Sequence, residues 1–231
     1  MVKHNASILK YVLDNGTFSN ILELGSGQKS TTIIAKYLLE RQKGKCLSLE
    51  DSKEWCRRKK KTMTNNKYVN IIWSKLIYNG KLIYDYDFKK EKFDFVLIDG
   101  PSPYGNMPNL LKRQKDIIND PSLWINPRIK KGFQSIDLLD YIENNITEKT
   151  LIMVDARKKA ILYYLQRYTD QFDFCGIDYN NTYYNHLLYR PEHLDAHKYP
   201  ICNATFICTK NSGLVEKIIK KRYIDKLVKY N

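Results

Sequence analysis

The chain has 231 residues, 43% hydrophobic and 13% aromatic, which excludes a disordered polypeptide and suits one domain spanning 1–231 with a sizeable core. No apolar run approaches the roughly 20 residues that a membrane helix needs, and the opening Met-Val-Lys-His-Asn-Ala-Ser has no apolar signal core, so a soluble, intracellular (cytoplasmic) protein is expected. The net charge of +14 invites a nucleic-acid partner, but lysine outnumbers arginine 30 to 9, base-reading arginine forks are scarce, and the local runs at 57–61 and 220–222 read as solvated helix faces.

The elements follow in chain order. A first helix is predicted over Ala6 to Leu13, within an N-terminal segment 1–18 that Asn15-Gly16 stops. The opening strand is Ile21 to Leu24, and a helix follows from Ser30 to Arg41, broken by Gly44. Cys46 to Leu49 is a second strand ending in Glu50-Asp51; Ser52 caps the next helix, with Trp55 on its early turns as core or as a lid. Val69 to Trp73 reads as a third strand. Leu76 to Tyr86 carries Asn79-Gly80 between two Leu-Ile-Tyr triplets, the signal of a hairpin with a type I′ turn, and forms a small β insertion.

Phe93 to Ile98 is nearly continuous in apolar residues, as a strand buried on both faces should be. Residues 100–134 hold five of the seven prolines and read as an active-site loop region. A helix from Ser135 to Asn144, a strand from Leu151 to Val154 ending at Asp155, and a helix from Arg157 to Thr169 follow. Phe172 to Ile177 and Ala204 to Cys208 form a closing pair of strands, and Leu214 to Lys229 reads as a basic C-terminal helix within 213–231. The five cysteines show no C-x-x-C pair, so neither a disulfide framework nor a zinc site is indicated.

Strands alternating with helices make an α/β protein, a Rossmann-like doubly wound sheet, whose ligand sits beyond the carboxyl ends of the strands. That rule gathers Gly25 and Gly27, Glu50 and Asp51, Trp73 and Ser74, Asp99, and Asp155 at one edge. Gly25-Ser26-Gly27 is a tight turn between a buried strand and a helix, the form of a nucleotide-like site. Ser30 stands where a dinucleotide fingerprint needs its third glycine, and the Lys-Ser/Thr ending of a P-loop is missing. Glu23 sits just before the glycines, as a neighbour for a cationic ligand or as a cap on turn amides. Glu50 suits ribose hydroxyls. A ribose-bearing cation without phosphate fits S-adenosylmethionine.

On Glu23-Leu-Gly25-Ser-Gly27, Ser48-Leu-Glu50 and Phe93-Asp-Phe-Val-Leu-Ile-Asp99-Gly100-Pro101, the chain resembles the class I S-adenosylmethionine-dependent methyltransferases, across Asn20 to Cys208. The resemblance implies their seven-stranded sheet. It also implies that Gly25, Ser26 and Gly27 underlie the methionine and ribose, that Glu50 and Asp51 border the ribose, and that Trp73 and Ser74 border the adenine. Ser30 and Thr31 would meet the carboxylate. Trp73 reads as packing or as a stacking platform.

Methyl transfer to an alcohol also removes a proton, which calls for a base or a metal. Asp99 and Asp155 end neighbouring strands, so they form a candidate pair for general-base chemistry or for a divalent ion (Mg or Mn). In related sugar and small-molecule O-methyltransferases acids at these strand ends bind a metal, usually with a third Asp, Asn or Glu directly after the second; here Ala156 and Arg157 follow. A metal-free route uses Asp99 or a histidine of the late loop, His186, His193 or His197. Asp-Gly-Pro after the fourth strand looks more like methyltransferases of sugar hydroxyls than like those of nucleic-acid amines, and Tyr179, Tyr183, Tyr184, Tyr189 and His186 suit the wall of a sugar pocket or the packing of an outer sheet. The first expectation is therefore an O-methyltransferase acting on a sugar or glycan. The alternatives are an RNA or DNA methyltransferase and a non-catalytic cofactor-binding protein.

Overall fold

A computed structural model describes residues 3–101, 111–113, 115–116, 133–155, 157–177, 204–210, 212–219 and 227–230. Its centre is an eight-stranded sheet. The strands are β1 (Asn20–Leu24), β2 (Lys45–Glu50), β3 (Val69–Trp73), β6 (Phe95–Ile98), β7 (Leu151–Asp155), β8 (Phe172–Ile177), β9 (Ala204–Thr209) and β10 (Leu227–Tyr230), in the order β10-β8-β9-β7-β6-β1-β2-β3. β3, β2, β1, β6 and β7 are mutually parallel, while β9 runs antiparallel to β7 and β8. The doubly wound α/β sheet read from the sequence is thus present, and its order reverses between β1 and β6. The remaining two strands, β4 (Leu76–Tyr78) and β5 (Leu82–Tyr84), form the expected hairpin, with Gly80 at φ +90°.

The core lies in two layers, one on each face, because side chains alternate along a strand. Ile21, Cys46, Phe95, Leu97, Leu151 and Met153 pack against α1 (Lys3–Asn15), α2 (Ser30–Arg41) and α6 (Leu214–Ile218). Leu22, Leu24, Val96, Ile98, Ile152 and Val154 pack against the hairpin, α4 (Leu138–Ile142) and α5 (Lys158–Tyr168). The stripe Ile8, Leu9, Val12 and Leu13 repeats at helical spacing and is fully buried. α3 (Lys53–Thr62) starts as expected, with the Ser52 side chain accepting from the Trp55 N–H at 3.2 Å. Among the described residues no helix is long and apolar enough to cross a membrane.

The chain end departs from expectation. Of the basic helix read over Leu214 to Lys229, the described residues hold Leu214–Ile218, and Leu227–Tyr230 is instead a strand that pairs antiparallel with β8. The sheet therefore has one strand more than the seven expected. A run with helical periodicity was here captured by an edge offering unpaired backbone groups. The helix read over Ser135 to Asn144 is likewise broken into a 3-10 turn, α4 and a second 3-10 turn.

Candidate functional site

Strand register places the chemistry. Leu49, Leu24, Ile98 and Val154 form one row across four parallel strands. One step further along these strands are Glu50, Gly25, Asp99 and Asp155, with Trp73 paired to Glu50 and Ala204 to Asp155. By alternation, this next row points to the face that carries α1 and α2. It therefore reads Trp73, Glu50, a bare glycine, Asp99, Asp155, and the gap lies at the reversal of strand order, where open α/β sheets bind ligands.

The gap is kept bare by backbone contact. Gly25 has φ +89°, and a Cβ there would lie 2.3 Å from the Gly100 Cα. A Cβ on Gly100 would in turn lie 2.4 Å from the Gly25 Cα. Neither position tolerates a side chain. A Cβ on Gly27 would meet the Asp99 Oδ2 at 2.4 Å, so the Asp99 carboxylate lies against the second glycine of the turn. The Gly100–Pro101 peptide is cis.

Glu23 is completely buried, and its two oxygens accept from Ser30 Oγ at 2.6 Å, Thr31 Oγ1 at 2.8 Å and Ser48 Oγ at 2.6 Å, with a further bond from the Gly27 N–H. Burial raises its pKa and these donors lower it. Glu23 thus ties the turn to α2 and β2, which is the turn-capping alternative. The hydroxyls of Ser30 and Thr31 are committed to it, Ser30 keeping a 3.3 Å contact with Asp99 Oδ2.

Glu50 is also buried. Its Oε2 accepts from the Ser26 N–H at 2.9 Å and Oγ at 2.7 Å, and its Oε1 from the Ser52 N–H at 2.8 Å. Two carboxylate oxygens offer about four lone-pair sites, so acceptor capacity remains. Burial pushes its pKa up to about 7 against those donors. Beside it the Trp73 Nε1 donates to the Asp51 carbonyl at 3.2 Å, leaving the indole 44% exposed, and Ser74 is buried.

Asp99 and Asp155 do face each other and share a side-chain hydrogen bond. Burial, followed by the Asp155 charge and that bond, pushes the Asp99 carboxyl up to about 8, which Arg157 partly opposes. The Arg157 guanidinium donates to the backbone carbonyls of Asp99 and Pro101. Asn5, fully buried on α1, donates its amide to Asp155.

A hard divalent ion takes six or more oxygen ligands. Among the described residues no third His, Cys, Asp or Glu joins Asp99 and Asp155, and the neighbours of the pair include the Arg157 guanidinium, the Asn5 amide N–H and the Ser30 hydroxyl. Among the described residues this arrangement fits a proton shared between the two carboxyls. His186, His193, His197 and the tyrosines of 178–203 lie outside the described residues, as does most of the 100–134 loop region.

Three residues of the site were not found from sequence. Lys59 belongs to the run read as a solvated face, yet it is buried, donates to the Gln28 carbonyl at 2.7 Å, and has its pKa lowered by burial. Together with Trp55, whose Nε1 donates to the Ser26 carbonyl at 2.5 Å, it anchors the glycine turn from α3. Asn5 had a signal: it is the polar member of the stripe 5, 8, 9, 12, 13. Arg157 had none.

No family model matches the sequence, and no curated protein matches it. Among solved structures, the O-methyltransferase from Bacillus cereus in complex with SAH is similar at 14% identity, with 90% of this chain and 81% of that chain covered and a TM-score of 0.49. The plantazolicin methyltransferase BpumL, solved with SAH and a desmethyl analogue, is similar at 12% identity, with 88% and 84% covered and a TM-score of 0.45. Coclaurine N-methyltransferase is similar at 12% identity, over 65% of this chain and 34% of that one, with a TM-score of 0.39.

Proposed function

We propose that the chain is an S-adenosylmethionine-dependent O-methyltransferase of class I type. The observation that carries the reading is the register row: a buried acid at Glu50, a bare floor at Gly25 and Gly100, and a carboxylate pair one strand further on. The cofactor, when bound, supplies a sulfonium methyl group. The chain's residues do the rest. Glu50 holds the ribose, and the glycine turn, anchored by Glu23, Trp55 and Lys59, keeps the floor in position. Asp99 takes the proton of the acceptor hydroxyl. Its raised pKa suits it to that task near neutral pH. Asp155 accepts the hydrogen bond that this proton makes, and Asn5 and Arg157 orient the pair.

For the acceptor we propose a sugar hydroxyl, supported by Asp99-Gly100-Pro101 after β6. A second reading, a nucleic-acid acceptor, is favoured by a trough of about 590 Å³ lined by Lys53, Glu54, Cys56, Arg57, Lys60 and the exposed Trp73, where cations rim a stacking surface. A methyl-transfer screen over sugars, glycans and RNA, with and without EDTA, tests both. EDTA-resistant transfer to a sugar is expected; transfer to RNA alone, falling steeply with salt, would replace the sugar reading.

A further inference from the structure

The hairpin between β3 and β6 carries a buried hydroxyl to the edge of the site. Tyr84, at the end of β5, is 1% exposed, and its hydroxyl has no hydrogen-bond partner among the described residues. The ring is well held, buried among the residues of α4 and α5 and tilted against Tyr141 at 6.4 Å. The hydroxyl lies 2.9 Å from where a Gly100 Cβ would stand, so it borders the bare floor of the site. A second buried hydroxyl, that of Ser74 directly after β3, also has no partner among the described residues, and the Ser74 N–H bonds to the Glu50 carbonyl at 2.9 Å. Buried hydroxyls left unbonded are costly, and natural proteins rarely keep two at one edge without use.

We propose that Tyr84 is a donor-pocket residue whose hydroxyl hydrogen-bonds the nucleoside part of the methyl donor, making the hairpin a wall of the cofactor site. This rests on the cofactor reading above. Burial, with the Asp51 and Glu50 carboxylates nearby, holds the phenol protonated, so it is a hydrogen-bond donor to a ring nitrogen or ribose oxygen. The hairpin is well placed to hold it there. The Leu82 N–H donates to Asp137 Oδ2 at 2.8 Å, and Asp137 is clamped in two bonds by Arg113 at 2.9 and 2.6 Å.

The test compares wild type with Tyr84→Phe, which keeps the ring and removes the oxygen. S-adenosylhomocysteine and 5′-methylthioadenosine are titrated by calorimetry, and melting of the ligand-free proteins is followed in parallel. The variant should bind both ligands roughly five- to 20-fold more weakly while the ligand-free form melts no lower than wild type. Ser74→Ala, a smaller change at the same edge, gives a second reading with the same expected pattern. Unchanged affinity for both ligands overturns the assignment. A loss confined to S-adenosylhomocysteine also overturns it, since the hydroxyl would then serve the amino-acid arm. A lower melting point would show that the hydroxyl is bonded within the free protein, which overturns it too. If wild type binds neither ligand, the cofactor reading itself fails, and the inference with it.

Discussion

Lys59 donates from its ammonium to the Gln28 carbonyl at 2.7 Å, while its neighbours Arg57, Arg58, Lys60 and Lys61 are exposed. One cation of the run therefore holds the glycine turn and the rest face solvent. Lys59→Met should lower stability by about 1–3 kcal/mol, because it removes a charge-assisted hydrogen bond to the glycine turn, and should weaken S-adenosylhomocysteine binding. Lys60→Met should stay within about 0.5 kcal/mol of wild type. Denaturant unfolding of the two variants separates them.

Glu50→Gln removes the charge that two ribose hydroxyls are proposed to meet. Bonds to a charged acceptor are the stronger kind, so binding should fall by roughly 10- to 100-fold. Ribose donors favour the ionised form of a group that burial has raised to about 7. Affinity should therefore climb as pH rises from 6 to 8, with proton release at the lower end. Calorimetry in buffers of different ionisation enthalpy reads both.

Asp99→Asn should cut turnover by roughly 10²- to 10⁴-fold, the range for a general base, with cofactor affinity changed only a few-fold. The wild-type pH profile of kcat/KM should rise to a plateau above about 8, the value to which Asp99 is raised, because the ionised form is the active one. Initial rates across pH 6–9 check the limb, and its survival in the variant would remove Asp99 from the role of base.

Stability should fall as pH rises in the ligand-free protein. Glu50 and Asp99 are both raised in the fold above their ordinary values of 4.5 and 3.8. Between those values and about 7 to 8, the unfolded chain has lost these protons and the folded chain retains them, so each pH step favours unfolding. Below pH 4 these two groups add no slope, and above about 8 the loss is complete. Melting curves from pH 5 to 8 test the sign, and Asp99→Asn should flatten the slope.

The sheet was legible because its strands are continuous apolar runs ending in Gly25, Glu50, Asp99 and Asp155, and the hairpin because Asn79-Gly80 admits few other structures. Two kinds of feature were not. Leu227–Tyr230 has a strand's partner in β8, but its own periodicity fits a helix, and partners are not written locally. Side chains such as Lys59, Asn5 and Tyr84 carry no motif. Their roles come from one buried contact each, made with residues far away or, for Tyr84, from the lack of such a contact. Glu23 was found but its main use was open in the sequence, because a carboxylate before a glycine turn serves a ligand or the turn equally well until its three hydroxyl donors are seen.

The bond from Asn5 to Asp155 joins positions 150 apart in the chain. By contrast, the bonds that build the donor side, from Ser30 and Thr31 to Glu23, from Ser26 to Glu50 and from Lys59 to Gln28, span 7, 8, 24 and 31 positions. During synthesis the donor side has all these partners once residue 59 has emerged, whereas the proton-taking side waits for β7. Low sequence separation favours early assembly and long loops delay it. The two halves of the site thus differ in when they form and in what breaks them. A fusion or truncation that loosens the first helix should strike acceptor chemistry while sparing cofactor capture.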